Sequence, residues 1–435
     1  MTFRFTLYAL IVSALLLTSN ILANPPGDDP RGGVTSGAVM PVAFYPDDDD
    51  DDDFDWDDDD NVDIDLEIER NYSRYPIDQR SVNVDVDFFY ERLAPYGEWI
   101  EHRSHGWVWS PYGISTSWRP YEAGRWVYTD YGWTWVSDEP YGWAVYHYGR
   151  WYYDPYYGWL WVPGHEWGPA WVEWRQGGGY VGWAPLPPQA EWRLQGRFGF
   201  DGISIGVSKR FSWSFVNERH FHAHDLHRHV LMPARNVNII NITNNVTNYN
   251  VINNRVVNQS IDINHIERVS GRRIQRHRIA DVDQATLARR SKVISDRVVM
   301  FRPKIESRTP RRTPRDVISR EVRPDQTQQW SQRVEESRRS LDTRLKSQRD
   351  WLESRQPVKP PSNLSPADAS KWRSRERAAM DEQAEREKKL LERYQDRLKS
   401  GKTGLTTADR PKFRVSSRTV DRSSDKARKE QREKR

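Results

Sequence analysis

Residues 124–135 read GRWVYTDYGWTW, and the chain repeats that pattern on either side. GEWIEHRSHGWVW precedes it at 97–109, and GRWYYDPYYGWLW follows at 149–161. The leading Gly recurs at 97, 124 and 149, and the GWxW element at 106, 132 and 158, a period of 25–27 residues. A fixed period of this length makes the repeat the unit of the fold. Each copy has the grammar of a β-hairpin. Trp126, Val127 and Tyr128 favour extended backbone. Thr129-Asp130-Tyr131-Gly132 supplies turn chemistry, and Trp133-Thr134-Trp135 resumes a two-residue alternation. Such alternation puts Trp133 and Trp135 on one face, and likewise Trp107 with Trp109 and Trp159 with Trp161. The expected fold is mainly β: an antiparallel meander of aromatic hairpin repeats, then a second small β segment, then a basic tail that is part helical and part disordered.

Composition concentrates the apolar mass in the same place. Of 21 Trp in 435 residues, 15 fall between Trp99 and Trp183, together with 12 Tyr. The whole chain is only 37% hydrophobic, so one core spanning all of it is not expected. There is no Cys, which excludes disulfides, thiolate metal sites, Cys nucleophiles and an N-terminal lipid-modified Cys. The net charge of +4 hides a division into −17 over residues 1–100, zero over 101–265 and +21 over 266–435. Such asymmetry marks tails that meet oppositely charged partners.

Outward from the repeats, the chain divides by composition. Residues 1–23 have a short basic start and the apolar run Phe5–Leu17, the length of a signal-peptide core and too short to cross a bilayer. Residues 24–61 carry DDDDDDDFDWDDDD and are expected to be a disordered acidic leader; calcium capture is the competing reading, without the ligand spacing of a calcium loop. Residues 62–195 form the aromatic hairpin domain, entered by alternating NVDIDLEIE and SVNVDVDF and a short helix FFYERLA (88–94), and closed by prolines at 185–188. Residues 196–280 read as an Asn-rich β segment, with Asn253-Asn254 as a hairpin turn and a short helix at 263–269 stopped by Gly271. Residues 281–328 read as linker. Residues 329–400 carry two charged helices, with stripes Val334, Leu341, Leu345, Leu352 and Ala384, Leu391, Tyr394, Leu398, and residues 401–435 are a disordered basic tail.

The Trp rows have two readings. Aromatics of this size supply core area to a small β module. A set this dense also invites a partly exposed surface for sugar rings, cations or protein, whose ligand-binding candidates are Trp107, Trp109, Trp133, Trp135, Trp159 and Trp161. Glu98, Asp154, Glu166 and Glu173 sit among the aromatics as glycosidase carboxylates do, which leaves a glycan-acting hydrolase as the minor alternative to a non-catalytic protein. No GxSxG, HExxH, Walker or dinucleotide motif occurs, and no cofactor is implied. His220, His222 and His224 would share a strand face and are weak metal candidates; a surface polar face is favoured over a metal site.

FFYERLAPYGEWI, GRWYYDPYYGWLWVPGHEWGPAWVEWR and GGGYVGWAPLPP together resemble a domain family of unknown function from exported proteins of Gram-negative bacteria, over roughly residues 82–280. The GxWYY hairpins bear a weaker similarity to choline-binding repeats, from which no activity is carried over. The resemblance implies a periplasmic or outer-envelope location and the repeat architecture, and supplies no established catalytic residues to carry over. The expected function is a non-catalytic envelope protein whose aromatic module binds a glycan or anionic envelope polymer. The alternative is a scaffold assembling through its charged tails and helices. Peripheral membrane contact and oligomers through the C-terminal helices are compatible with both, whereas export argues against a nucleic-acid partner despite the excess Arg.

Overall fold

The computed structural model describes residues 83–407 except 113, 189, 193–197, 200–206, 254, 283–291, 308–309, 311, 319–325, 361, 363 and 402–405. The expected signal segment, the acidic leader, the strand at 62–68 and nearly all of the basic tail lie outside the described residues. The three repeats are hairpins, and a fourth follows them. They are β1 (Gly97–His102) with β2 (Gly106–Pro111), β3 (Gly124–Thr129) with β4 (Gly132–Ser137), β5 (Arg150–Asp154) with β6 (Gly158–Val162), and β7 (Val172–Gly177) with β8 (Tyr180–Pro185). The fourth lacks the GWxW turn and uses Gly177-Gly178-Gly179 instead.

Each hairpin places one Trp directly opposite another. The pairs are Trp99 with Trp109, Trp126 with Trp135, Trp151 with Trp161, and Trp174 with Trp183. All eight are at most 2% exposed. Pairs from alternate hairpins then meet. Trp99 lies 6.3 Å from Trp161 and Trp109 lies 6.3 Å from Trp151, ring centre to ring centre, which joins the first and third hairpins. Trp126 lies 4.5 Å from Trp174 and 5.7 Å from Trp183, which joins the second and fourth. The core is therefore two indole quartets, bridged by Tyr121 and Tyr146 at 4.5 Å.

This arrangement corrects the expected meander. The first and third hairpins share a five-stranded sheet ordered Thr406–Thr407, β1, β2, β6, β5, with Trp109 in register with Trp161. The second hairpin starts a seven-stranded mixed sheet. Its order is β10 (Tyr249–Ile252), β11 (Arg255–Asn258), β4, β3, β12 (Arg276–Val282), β14 (Arg297–Phe301), β13 (Lys292–Ile294). The fourth belongs to a four-stranded sheet ordered β9 (Ser214–Asn217), β8, β7, Asn244–Asn245. Consecutive hairpins do not pair because bulky indoles on their inner faces are satisfied by stacking across the interior rather than along one sheet.

Other boundaries move for the same reason. The hairpin domain does not close at 195, since strands from 214 to 301 and Thr406–Thr407 complete its sheets. The segment read as linker contributes β13 and β14, whose Val298 and Met300 pack on Val127 and Val136. Within the Asn-rich segment, residues 236–242 are helical, and residues 207–212 form a 3-10 turn where a strand was expected. The hairpin β10–β11 does form, with Asn253 at φ 50°. In helix Ile263–Ser270, Ile263 and Ile266 are buried, while Val269 is 41% exposed. The two charged helices form, α5 (Gln326–Ser354) and α6 (Pro366–Lys399), after α1 (Phe88–Leu93), α2 (Gly142–Val145), α3 (Asn236–Ile242) and α4 (Ile263–Ser270), so the described residues combine sheets with extensive helix rather than being mainly β. No helix among the described residues is long and apolar enough to cross a membrane.

The GW glycines of the repeat, 106, 132 and 158, have φ of 66°, 72° and 81°, the left-handed region where a Cβ is strained. Gly132 is also crowded: a Cβ there would lie 1.9 Å from the Asn258 carbonyl oxygen, where β11 joins β4, whereas Gly106 has nothing within 4 Å. Gly106→Ala should therefore cost about 1–2 kcal/mol in urea unfolding, and Gly132→Ala at least about 2 kcal/mol more. Equal losses would mean that the approach of β11 does not constrain the turn.

Candidate functional site

The expected ligand face is mostly interior. Trp109, Trp133, Trp135 and Trp161 are 0% exposed and Trp159 is 6% exposed. Only Trp107 is half-buried, with the Arg315 guanidinium 5.5 Å from its ring. Both faces of β4 are covered, so Thr134, opposite the Trp row, is as buried as the row itself. The six Trp therefore do not form a solvent-facing platform, which corrects their assignment as ligand-binding residues. Several indole N–H groups of the module, three of these six among them, serve the backbone. Trp99, Trp109, Trp133, Trp151 and Trp161 donate to the carbonyls of Tyr90, Leu93, Ile261, Val145 and Tyr148 at 2.8–3.0 Å. Two of these acceptors lie in α1, whose last carbonyls have no partner within the helix.

The carboxylates among the aromatics also have structural roles. Glu98 is fully buried and receives both of its oxygens' contacts from Arg397 at 2.9 Å, with Trp330 Nε1 donating at 3.1 Å. Asp154 takes the backbone N–H groups of Tyr156 and Tyr157 in the β5–β6 turn and lies 3.8 Å from His102. Glu173 accepts from Asn245. Among the buried carboxylates, Glu139 has a raised titration. It accepts from Tyr141 at 2.6 Å, from Trp118 at 3.2 Å and from Tyr146, with no salt-bridged cation among the described residues. Burial pushes its carboxyl up to about 7, against the pull of those three donors.

The histidine trio is dispersed rather than aligned. His220 ends a 3-10 turn and stacks on His229 at 4.2 Å, and His224 bonds Arg125. Burial, reinforced by His229, depresses His220 to about 4. No group of three or more His, Asp or Glu among the described residues is placed to hold a metal ion.

What the residues build instead is a docking interface and a groove. α5 and α6 run antiparallel: Glu353 meets Arg377, Arg349 meets Asp381, and Arg344 meets Glu387. Val334, Leu341, Leu345 and Leu352 of α5 and Leu391 and Tyr394 of α6 are buried together with Tyr112, Met232 and Ala234 of the β module. At the contact, Arg397 and Arg333 flank the Trp330 ring at 4.3 and 4.7 Å. Arg333 also donates to the Pro111 carbonyl at 2.9 Å. The charged helices thus use buried ionic groups to hold the module. Beside them, the 116–119 loop, the β5–β6 hairpin and α6 border a small groove of about 30 Å³. Arg119, Gln383 and Arg386 line it; none stood out in the sequence, where a single Arg beside Trp118 and two residues of a highly charged helix carry no signal.

Residues 90–190 match a family of unknown function, DUF6600. The matched segment starts in α1 and runs past β8, so it contains all four hairpins and both Trp quartets. Neither a curated protein nor a solved structure matches the chain.

Two outcomes test the electrostatics. Arg397→Leu strands the buried Glu98 carboxylate and should cost about 3–5 kcal/mol in urea unfolding, whereas adding Glu98→Gln should recover at least about 1 kcal/mol; additive losses would show that the two groups act separately. A carboxyl raised in the folded state contributes stability in full below its unfolded value of 4.5, and loses that contribution as pH rises through about 7. Glu139→Gln should therefore flatten the stability profile between pH 5 and 8, removing a fall of about 3 kcal/mol. Parallel profiles for the two proteins would refute the assignment.

Proposed function

We propose that the protein is a non-catalytic component of the bacterial cell envelope, in which the aromatic module is a rigid platform and the charged helices and tails make the contacts of assembly. The observation that carries this reading is the 0% exposure of Trp109, Trp135 and Trp161, which removes the motive for a glycan-binding aromatic face. Cations do meet the aromatics, but they are the chain's own: Arg150 lies 3.8 Å from the Trp171 ring and Arg386 4.4 Å from that of Tyr153. The outward side of α5 and α6 carries exposed pairs such as Arg338 and Arg339 with Glu335, and Lys389 with Glu385. Exposed pairs of this kind contribute little to stability, so the density of charge there is better explained by partners than by folding. The export half of the proposal rests on the apolar run Phe5–Leu17 after its short basic start, and the opposed −17 and +21 termini supply the charge for assembly.

A charge-driven contact weakens as salt shortens the Debye length from about 30 Å at ~10 mM to about 8 Å at ~0.15 M. The full chain should be retained on purified peptidoglycan or lipopolysaccharide at the lower ionic strength and released at the higher. Retention that survives the higher salt and is competed by neutral oligosaccharide would favour an aromatic sugar site and defeat this reading, as would no retention at either.

A further inference from the structure

One patch of the seven-stranded sheet collects arginine without matching acid. β12 and β14 pair in parallel, with Arg278 directly opposite Arg297. Alternation puts Arg276 on the same face, one step back along β12 and in register with Tyr128 of β3. All three arginines are exposed, as are Arg272 and Arg273 just before β12. Like charges directly opposite each other on neighbouring strands destabilise a sheet. The acids at hand are few and already engaged. Asp296 meets Arg297 at 3.6 Å, Asp130 meets Arg255 at 3.6 Å, and Glu267 accepts the Ile274 N–H at 3.0 Å. Arg276 stands over the Tyr128 ring at 5.6 Å, and neither Arg276 nor Arg278 has an ion pair among the described residues. A face that keeps this repulsion is complementary to an extended anion.

The chain carries such an anion itself. Residues 47–60 read DDDDDDDFDWDDDD, 12 Asp in 14 positions. The place where this run joins the fold favours it over a foreign partner. The described chain begins at Asn83–Val84, which pair in parallel with Lys304–Ile305, just past the end of β14. Phe88 then lies 6.1 Å from Phe301, ring centre to ring centre. Phe301, Val299 and Arg297 alternate onto one face of β14, so the incoming chain meets the arginine face at its covered end. From Phe301 to Arg297 is about 13 Å along the strand. Residues 61–82 separate the acidic run from Asn83, and 22 residues span up to about 75 Å. Reach is ample, and a tethered partner meets its site at an effective concentration on the order of millimolar. We propose that the acidic run Asp47–Asp60 docks on the face formed by Arg276, Arg278 and Arg297 of its own chain, so that an external polyanion reaches this face only by displacing it. The inference goes beyond the assembly reading, which needs only that the termini carry charge.

The test is fluorescence anisotropy of a labelled polyaspartate peptide at low ionic strength. Three proteins are compared: the full chain, a variant lacking residues 47–60, and that deletion combined with Arg276→Gln, Arg278→Gln and Arg297→Gln. The deletion removes no described residue and the three arginines are exposed, so native circular dichroism is expected of all three. The deletion should bind the peptide at least about tenfold tighter than the full chain, and the three substitutions should remove at least about fivefold of that gain. A second measurement needs no deletion. Arg278→Lys in the full chain puts an amine on the face for carbodiimide coupling to carboxylates. Coupling should join that amine to the run 47–60, and within one chain when isotope-labelled and unlabelled proteins are mixed. Equal peptide affinity with and without the run, a gain that the three substitutions leave untouched, coupling of the run to tail lysines but not to the new amine, or coupling only between chains would each overturn the proposal. No readout here involves an envelope polymer, so this inference and the assembly reading fail separately.

Discussion

The structure depends on disposing of indoles. Trp is large enough to build a core in a short β module, but each ring brings one N–H that must find an acceptor when buried. The chain solves this by placing helix ends and loop carbonyls around the quartets: α1 offers Tyr90 and Leu93, and the segment around α2 offers Val145, His147 and Tyr148. Where rings are too crowded for oxygen, as at Trp126, Trp135 and Trp174, the N–H groups find no acceptor among the described residues. The Trp126 ring there has three other Trp rings within 4.5–5.7 Å. Packing of aromatic faces and edges outweighs the unmade bonds at that point.

Between the quartets runs a buried polar line. The Trp171 backbone N–H donates to the Tyr121 hydroxyl at 3.0 Å, which donates to the Tyr146 carbonyl at 2.9 Å, and the Tyr146 hydroxyl donates to Glu139. The line orients two tyrosines that bridge the quartets, and it concentrates one titratable group at the centre of the module. Glu98 works differently. Its carboxylate is matched by a guanidinium, and a buried matched pair contributes specificity of docking more than net stability. It sets where α6 sits on β1, and with Trp330 it sets where α5 sits as well.

The local part of the fold was legible in sequence, and the assembly was not. Hairpin turns are read from Gly132 and its counterparts because positive φ is a local requirement, and the helix stripes of α5 and α6 are read because burial on a helix is periodic. The pairing of alternate hairpins is a property of ring packing between strands about 50 residues apart in the chain, and no period reports it. The same gap explains the Trp rows. Alternation tells which residues share a face, but a face can be covered by another sheet, and Trp133 and Trp135 were covered. β13 and β14 were hidden by flanking Arg and Pro, since Val298 and Met300 make sense only once Val127 and Val136 are beneath them. Of the groove, Trp159 was among the residues singled out, but as part of a row rather than a wall. Arg119 and Gln383 meet only because α6 returns to the module some 260 residues later.

That return has a consequence in time. Glu98 and Arg397 are 299 positions apart, and Thr406–Thr407 pair with β1 from farther still. Contacts this distant in the chain are slow to form and cannot begin until the far partner exists. When a ribosome has made the four hairpins, the buried carboxylate of Glu98 still has no arginine, and the edge of the five-stranded sheet is still open. Among the described residues, the aromatic module is therefore made first and closed last. For most of its synthesis it is an unfinished interior, and whatever binds exposed tryptophan in nascent chains has a long interval in which to find it.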